Sequence, residues 1–219
     1  LDISDGPSGM NMQTLTLSMD TEIKAGLVIL GFVDTGGNDL VITANDIDFT
    51  AGAGSVMSGS PTDILTLRPI ESTAVINGPG MHPDMHIGVT VDVVGAFSLS
   101  DDDLAAIADG FNSITIGRFD GANNIFVETS DFSDPVRIQS PVGGTISITG
   151  SIVSTATTAE AMAAGTSFAG DLDENNNPIL VDGFGLGVPG MVPPSGNGAG
   201  VLIFGSQSTT ELVGVTIET

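Results

Sequence analysis

The residues best suited to hold a metal ion lie in the last third of the chain. Oxygen-bearing side chains recur there at the spacing of a calcium-binding loop: Asp171, Asp173, Asn175, Asn177 and Asp182. With the carbonyl of Asn177 they would converge on one hard cation that takes about six to eight oxygen ligands. Asn176 stands where such loops carry glycine, Pro178 interrupts the loop, and Asp182 replaces the usual glutamate. These departures favour the alternative, a solvated Asp/Asn turn.

A second set of metal-ligand types lies in a loop rich in proline and glycine. His82, Asp84 and His86 alternate, and on an extended segment their side chains would share one side. Two imidazoles and a carboxylate suit zinc, but no fourth ligand is evident. Two loop histidines without a metal are therefore the favoured interpretation.

Three consecutive acids precede an apolar helical turn. Ser100 is placed to cap a helix that begins at Asp101, and Asp101, Asp102 and Asp103 complement the helix dipole. The pattern favours capping, with a surface calcium site as the alternative.

The sequence lacks the residues that covalent catalysis and nucleotide binding usually require. The chain has no cysteine and two histidines, so thiol catalysis is excluded, and no Gly-x-Ser-x-Gly elbow provides a serine nucleophile. The glycine-rich stretch at 183–187 has no lysine after it and is not a phosphate loop.

The elements that must position these residues are short strands. Apolar residues alternate with Thr, Ser or Asp over four to eight positions, the pattern of strands with one buried face, and Gly, Asn and Asp clusters form the turns between them. The predicted strands are Thr14–Met19, Gly26–Val33, Asp39–Ala44, Ile64–Leu67, Ile87–Val94, Ser113–Gly117, Asn124–Glu128, Val136–Gln139, Thr145–Thr149, Val201–Gly205 and Leu212–Glu218.

Charge restricts the partners. The 219 residues include 27 acids and four Lys or Arg, for a net charge of −23. Such a field repels nucleic acids and anionic lipid, whereas it suits salt or divalent cations such as Ca²⁺. Acids that merely keep an apolar chain soluble are the alternative. The cations Arg68, Arg118 and Arg137 are expected to pair with acids on adjacent coils.

Strand-plus-corner units recur at intervals of roughly ten to twenty residues, as in a solenoid. The pattern favours an all-β solenoid, with an antiparallel β-sandwich or jelly roll as the alternative. The predicted core of the stacked coils consists of Ile114, Ile116, Ile125, Val127, Val136, Ile138, Ile146 and Ile148.

Several short strings, in order, resemble the β-strand repeats of filamentous-haemagglutinin-like proteins, which are very large bacterial surface proteins. The similarity covers about residues 40–150, through 41–49, Leu65–Pro69, 97–104, Ile114–Arg118 and Phe132–Val136. It implies a right-handed parallel β-helix, export to the cell surface or medium, and adhesion, matrix building or motility without catalytic residues. Beyond Gly150 the chain departs from the repeat.

The sequence thus predicts solenoid coils over residues 1–150 and a divergent continuation over 151–219. The expected function is a non-enzymatic, extracellular structural or adhesive module that contacts other copies or adjacent coils, and a surface glycan or matrix. It is expected to be a segment of a longer protein or a fibre subunit that stacks end to end. A polysaccharide-acting β-helix enzyme, a lyase or glycoside hydrolase that uses paired acids, is the alternative.

Overall fold

The computed structural model describes residues 10–70, 84–118, 123–140 and 145–156, together with strand backbone at 2–5, 201–205, 209–212 and 216–218. Short strands dominate these residues, and a single helix, α1 (Asp101–Ala106), interrupts them. The strands in chain order are β1 (Asp2–Asp5), β2 (Met10–Thr16), β3 (Thr21–Asp34), β4 (Leu40–Phe49), β5 (Val56–Met57), β6 (Ile64–Pro69), β7 (Met85–Val89), β8 (Phe97–Ser100), β9 (Ser113–Gly117), β10 (Ile125–Val127), β11 (Ser130–Phe132), β12 (Val136–Ser140), β13 (Thr145–Ile148), β14 (Ser151–Ser154), β15 (Val201–Gly205), β16 (Thr209–Leu212) and β17 (Thr216–Glu218).

The fold is a parallel β-solenoid of about six turns. Every strand pair within the described residues is parallel. Hydrogen bonds between successive coils join residues 19 to 25 positions apart. The alternative of a sandwich or jelly roll is wrong, since both are built from antiparallel neighbours.

Three sheets form the faces of the solenoid. Sheet A follows the order β1-β3-β4-β6-β9-β12-β15, and β2 and β5 also pair with β3. Sheet B follows β16-β13-β10-β7-β8, and sheet C follows β11-β14-β17. Strand β8 therefore lies on the opposite side of β7 from β10. After β7 the chain thus adds a strand on the side of sheet B away from the later coils, and only then enters α1.

The core runs along the axis as stacked aliphatic rows. All eight predicted core residues are buried, none more than 1% exposed. In sheet A the strand register places Leu65 beside Ile114 and Ile114 beside Val136. Like side chains therefore stack coil on coil along the axis.

Two strands are longer than the sequence pattern predicts. Strand β3 contains the predicted Gly26–Val33 but begins at Thr21, and β4 continues beyond Ala44 to Phe49. Burial alternates regularly through Ile23 and Ala25 and then changes parity, because Leu27 is exposed and Val28 buried. The backbone turns a corner there without leaving the strand, so each long strand contributes to two faces of the coil.

Candidate functional site

A groove formed by described residues lies beside α1. A cavity of about 540 Å³ lies between α1 and the corners that follow β7, β10 and β13. A second cavity of about 310 Å³ continues it toward β11 and β14. Leu104, Ala105 and Asp131 line both cavities, so the two form one groove.

Helix α1 forms one wall and is capped as predicted. Ser100 Oγ accepts the amide hydrogen of Asp103 at 3.2 Å, and Asp103 Oδ2 accepts that of Ser100 at 3.0 Å, which completes a capping box. Asp103 Oδ1 also accepts the amide of Phe49 at 2.9 Å. Burial raises the pKa of Asp103, although these hydrogen bonds lower it. The aspartate thereby fixes the helix to the coil that precedes it.

The opposite wall is a stack of three corners in close register. The amide of Glu128 donates to the Ile87 carbonyl at 2.8 Å, and the amide of Thr149 donates to the Val127 carbonyl at 2.9 Å. Gly88 adopts a φ of +75°, and a Cβ at this position would lie 2.2 Å from the Thr129 carbonyl oxygen. Only glycine allows this approach of one corner to the next.

Strand β11 borders the groove with a backbone edge. Within the described residues it is the outermost strand of sheet C, where it pairs with β14, and α1 packs against it. The amide of Thr155, just after β14, donates to the Phe132 carbonyl at 2.9 Å, so the Phe132 backbone faces β14. Successive residues of a parallel strand direct their N–H and C=O groups to opposite edges. The N–H and C=O of Asp131 therefore point away from β14.

The groove is acidic. Asp101, Glu128 and Asp131 line it with exposed side chains, and neither Lys nor Arg occurs among the described lining residues. Within the described part of the chain, no group of three or more His, Cys, Asp or Glu side chains could hold a metal ion.

The arginines occupy other positions. Arg68 forms an ion pair with Glu22 at 2.9 Å and donates through Nε to Thr43 Oγ1 at 2.9 Å. Because Thr43 lies on the intervening strand β4, the acid is two strands away, whereas the prediction placed it on an adjacent coil. Burial alone would raise the pKa of Glu22, but hydrogen bonds from Arg68 and Thr43 outweigh it and lower the pKa. Arg118 donates to the Pro69 carbonyl at 3.0 Å, and Arg137 is fully buried.

Several acids outside the groove hydrogen-bond to corners of the following coil. Asp20 Oδ1 accepts the amide of Asp39 at 3.0 Å, and Asp39 Oδ1 accepts the amide of Ile64 at 2.9 Å. At the start of sheet B, Asp84 Oδ1 accepts the amide of Asn124 at 3.0 Å. Asn124 Oδ1 in turn accepts from Thr145 Oγ1 at 2.8 Å. These corner ladders satisfy backbone N–H groups that have no strand partner.

The buried carboxylate of Asp63 has a local set of donors. The amides of Gly59 and Ser60 donate to Asp63 Oδ2 at 3.0 and 3.2 Å, and the Thr35 hydroxyl donates to the same atom. Asp63 is 1% exposed. Its hydrogen bonds hold the corner before β6 in place.

Only some of the predicted metal ligands lie within the described residues. Those of the calcium-type loop, Asp171, Asp173, Asn175, Asn177 and Asp182, lie outside the described residues, as does His82. Asp84 belongs to the corner ladder of sheet B, and His86 stacks on Phe126 with ring centroids 4.9 Å apart.

The sequence analysis did not predict strand β11 and therefore missed the groove. The signal is short: Ser130 and Phe132 are buried and Asp131 is exposed, a single cycle of alternation.

A comparison with known protein families, curated proteins and solved structures finds no match to this chain. Within the described residues there is no helix of the length and hydropathy needed to cross a membrane.

Proposed function

We propose that the chain is a non-enzymatic structural or adhesive module of a large bacterial surface protein or fibre, and that it acts outside the cell. The observation that carries the proposal is the continuous parallel stack. Sheet A alone extends backbone pairing through seven strands, from β1 to β15. A solenoid of this kind provides a long, regular surface and a semi-rigid spacer.

The use of the acidic residues supports a scaffold. Asp20, Asp39, Asp63, Asp84 and Asp103 all accept backbone amides that hold corners or α1 in place. These carboxylates stabilise the coil stack. The resemblance of residues 40–150 to filamentous-haemagglutinin-like repeats agrees with this role.

The proposed partners are further coils. Within the described residues, β1 and β2 pair with β3 on one side and have no neighbour on the other. Such edges recruit another strand, which would come either from more of the same polypeptide or from a second copy. A cell-surface glycan or matrix is the proposed contact of the outer faces, and a structural Ca²⁺ at the Asp171–Asp182 loop belongs to the same proposal.

Electron microscopy of the purified chain at increasing concentration tests assembly, together with fibre diffraction. We expect rods that lengthen with concentration and a repeat of about 4.7–4.8 Å along the axis. Retention of the protein on immobilised matrix glycans tests adhesion. Short particles of uniform length combined with no retention on any matrix would contradict the proposal.

A second candidate is a polysaccharide-acting β-helix enzyme, which the three carboxylates of the groove favour. A lyase or hydrolase would release reducing ends from an acidic or neutral glycan. Release that disappears in the Glu128→Gln variant would support the enzyme, and no release across a broad glycan panel would remove it.

A further inference from the structure

The backbone ladder between coils is interrupted beside the second half of β4. Residues 40–44 of β4 pair with β6, whereas residues 46–49 pair only with β3. Strand β8 and helix α1 pack against the other side of β4, yet in the described part of the chain no backbone hydrogen bond joins them to residues 46–49. We call this boundary, between residues 46–49 on one side and β8 with the start of α1 on the other, the seam.

The seam is closed at both ends by backbone hydrogen bonds. The amide of Ile70 donates to the Ala44 carbonyl at 2.7 Å, and the amide of Gly54 donates to the Ala105 carbonyl at 2.9 Å. Sheet A also continues past the seam through β4, β6 and β9. The coils on either side therefore stay joined whatever happens at the seam itself.

Two carboxylates bridge the seam. Asp46 Oδ1 on β4 accepts the amide of Ser98 at 3.3 Å, and Asp103 Oδ1 on α1 accepts the amide of Phe49 at 2.9 Å. One acceptor lies on each side, so the two bonds cross the seam in opposite directions. The contact between β4 and the β8–α1 segment thus depends on two titratable groups instead of a backbone ladder.

Further acids face these two carboxylates. Asp48 follows on β4, and Asp92 lies in the loop at 90–96 that joins β7 to β8. Burial raises the pKa of Asp46, Asp92 and Asp103, although accepted amides lower the pKa of Asp46 and Asp103. Repulsion adds to the rise, because Asp92 acts on Asp46 and Asp103, and Asp48 acts on Asp92. Ionisation therefore places like charges on both sides of the seam.

Cations do not offset this repulsion within the described residues. Neither Lys nor Arg acts on the pKa of any of the three buried carboxyls. Strand β8 carries no charged residue, and the other charged residues of α1, Asp101 and Asp102, are acids. Lys24 on β3 lies three positions along the strand from the partner of Asp46, which is about 10 Å. Arg68 of β6 is engaged in the ion pair described above.

We propose that the seam is a pH-sensitive latch, which holds the loop at 90–96, β8 and the start of α1 on β4 in mild acid and opens locally as the facing carboxyls ionise. The closed seam binds protons that the open seam releases, so rising pH shifts the equilibrium toward the open form. Opening would uncover residues 46–49 while sheet A keeps the rod continuous. The latch goes beyond the scaffold role and does not require adhesion or assembly.

Hydrogen exchange resolved to single amides tests the latch in the full chain, with a chelator present so that no divalent cation screens the acids. The reporters are the amides of Ser98 and Phe49, which donate to the bridging carboxylates. Protection factors remove the intrinsic effect of pH on exchange. Between about pH 4.5 and 8 we expect the protection of both amides to fall at least about fivefold. Unchanged protection over this range would overturn the proposal.

Urea distinguishes local opening from global unfolding. A local opening exposes little surface, so exchange at Ser98 and Phe49 should respond to low urea concentrations less steeply than exchange in β12. Strand β12 is the reference because it lies inside the backbone ladder of sheet A. Equal urea dependence at the seam and in β12 would show that the seam opens only with the whole fold, and would contradict the latch.

Matched variants assign the pH dependence to the seam. Asp46→Asn keeps an oxygen acceptor for Ser98 and removes the charge, so we expect the fall in protection to shrink to less than about twofold. Asp92→Asn, at an exposed loop position that forms neither bridge, should reduce the fall part of the way. Asp109→Asn makes the same exchange at an exposed acid outside the seam and should retain the full fall. An undiminished fall in either seam variant would refute the latch.

Discussion

Asp46 offers a direct test of how burial of a carboxylate in the coils affects the stability of the fold. Its side chain is half-buried on β4, where Oδ1 accepts the amides of Ser98 at 3.3 Å and Ile47 at 3.1 Å. Burial raises the pKa of Asp46 from 3.8 to about 6. The amide of Ser98 opposes that shift, and the carboxylates of Asp92 and Asp103 add to it.

The sign of the effect follows from proton binding. Between pH 3.8 and about 6, the folded chain holds a proton on Asp46 that the unfolded chain has released. The free energy of unfolding therefore falls as pH rises through this window, and the loss is complete above it. A shift of about two units corresponds to at most about 3 kcal/mol. Solvent screening at a half-exposed carboxylate reduces this to about 1 kcal/mol.

The perturbation is Asp46→Asn, which keeps an oxygen acceptor for both amides and removes the charge. At pH 8 we expect this variant to be about 1 kcal/mol more stable than the parent chain, and at pH 3.5 we expect no difference. Urea unfolding followed by circular dichroism at four pH values measures both. Comparing the proteins at the same pH cancels the titration of the other acids.

Asp109→Asn provides the control, because it makes the same exchange at an exposed position, and we expect it to change stability at pH 8 much less than Asp46→Asn. A profile of Asp46→Asn that parallels the parent chain from pH 3.5 to 8 would refute the reasoning. So would a variant that is less stable than the parent at pH 8.

Three further predictions concern packing, close approach and metal. Ile116→Ala removes a fully buried side chain and should cost about 2–5 kcal/mol of unfolding free energy in urea melts, whereas Val94→Ala, at a fully exposed position, should change it by less than about 0.5 kcal/mol. Gly88→Ala should be less stable than Gly95→Ala by about 1–3 kcal/mol, because both have positive φ but only Gly88 meets neighbouring backbone; equal losses would contradict the close packing of the corners. If the Asp171–Asp182 loop holds a structural Ca²⁺, a chelator should lower the thermal midpoint, and an unchanged midpoint would remove that role.

The regular part of the fold was predictable because its determinants are local. Strands such as β9 and β12 alternate buried Ile or Val with polar residues, and this alternation assigns both the strand and its inward face. The cap of α1 was predictable for the same reason, since Ser100 and Asp103 lie within a single turn.

The groove depends on contacts that the sequence does not show locally. Strands β5 and β11 have two and three residues, too few for alternation to be recognised. The position of β8 beside β7 depends on a tight loop that returns the chain to the same sheet. The raised pKa of Asp46 likewise arises mainly from burial, to which the carboxylates of Asp92 and Asp103 add, and both of these residues are distant in sequence.

The corner ladders have a direction, and this affects how such a chain can lengthen. Asp20 accepts from Asp39, and Asp39 accepts from Ile64, so these two corners present an acceptor toward the coil that follows. The ladder from Asp84 through Asn124 to Thr145 runs the same way. A tandem duplication of one coil in the gene would therefore insert a unit that already carries the acceptor its successor needs. Evolution can extend the rod by copying, without inventing a new junction.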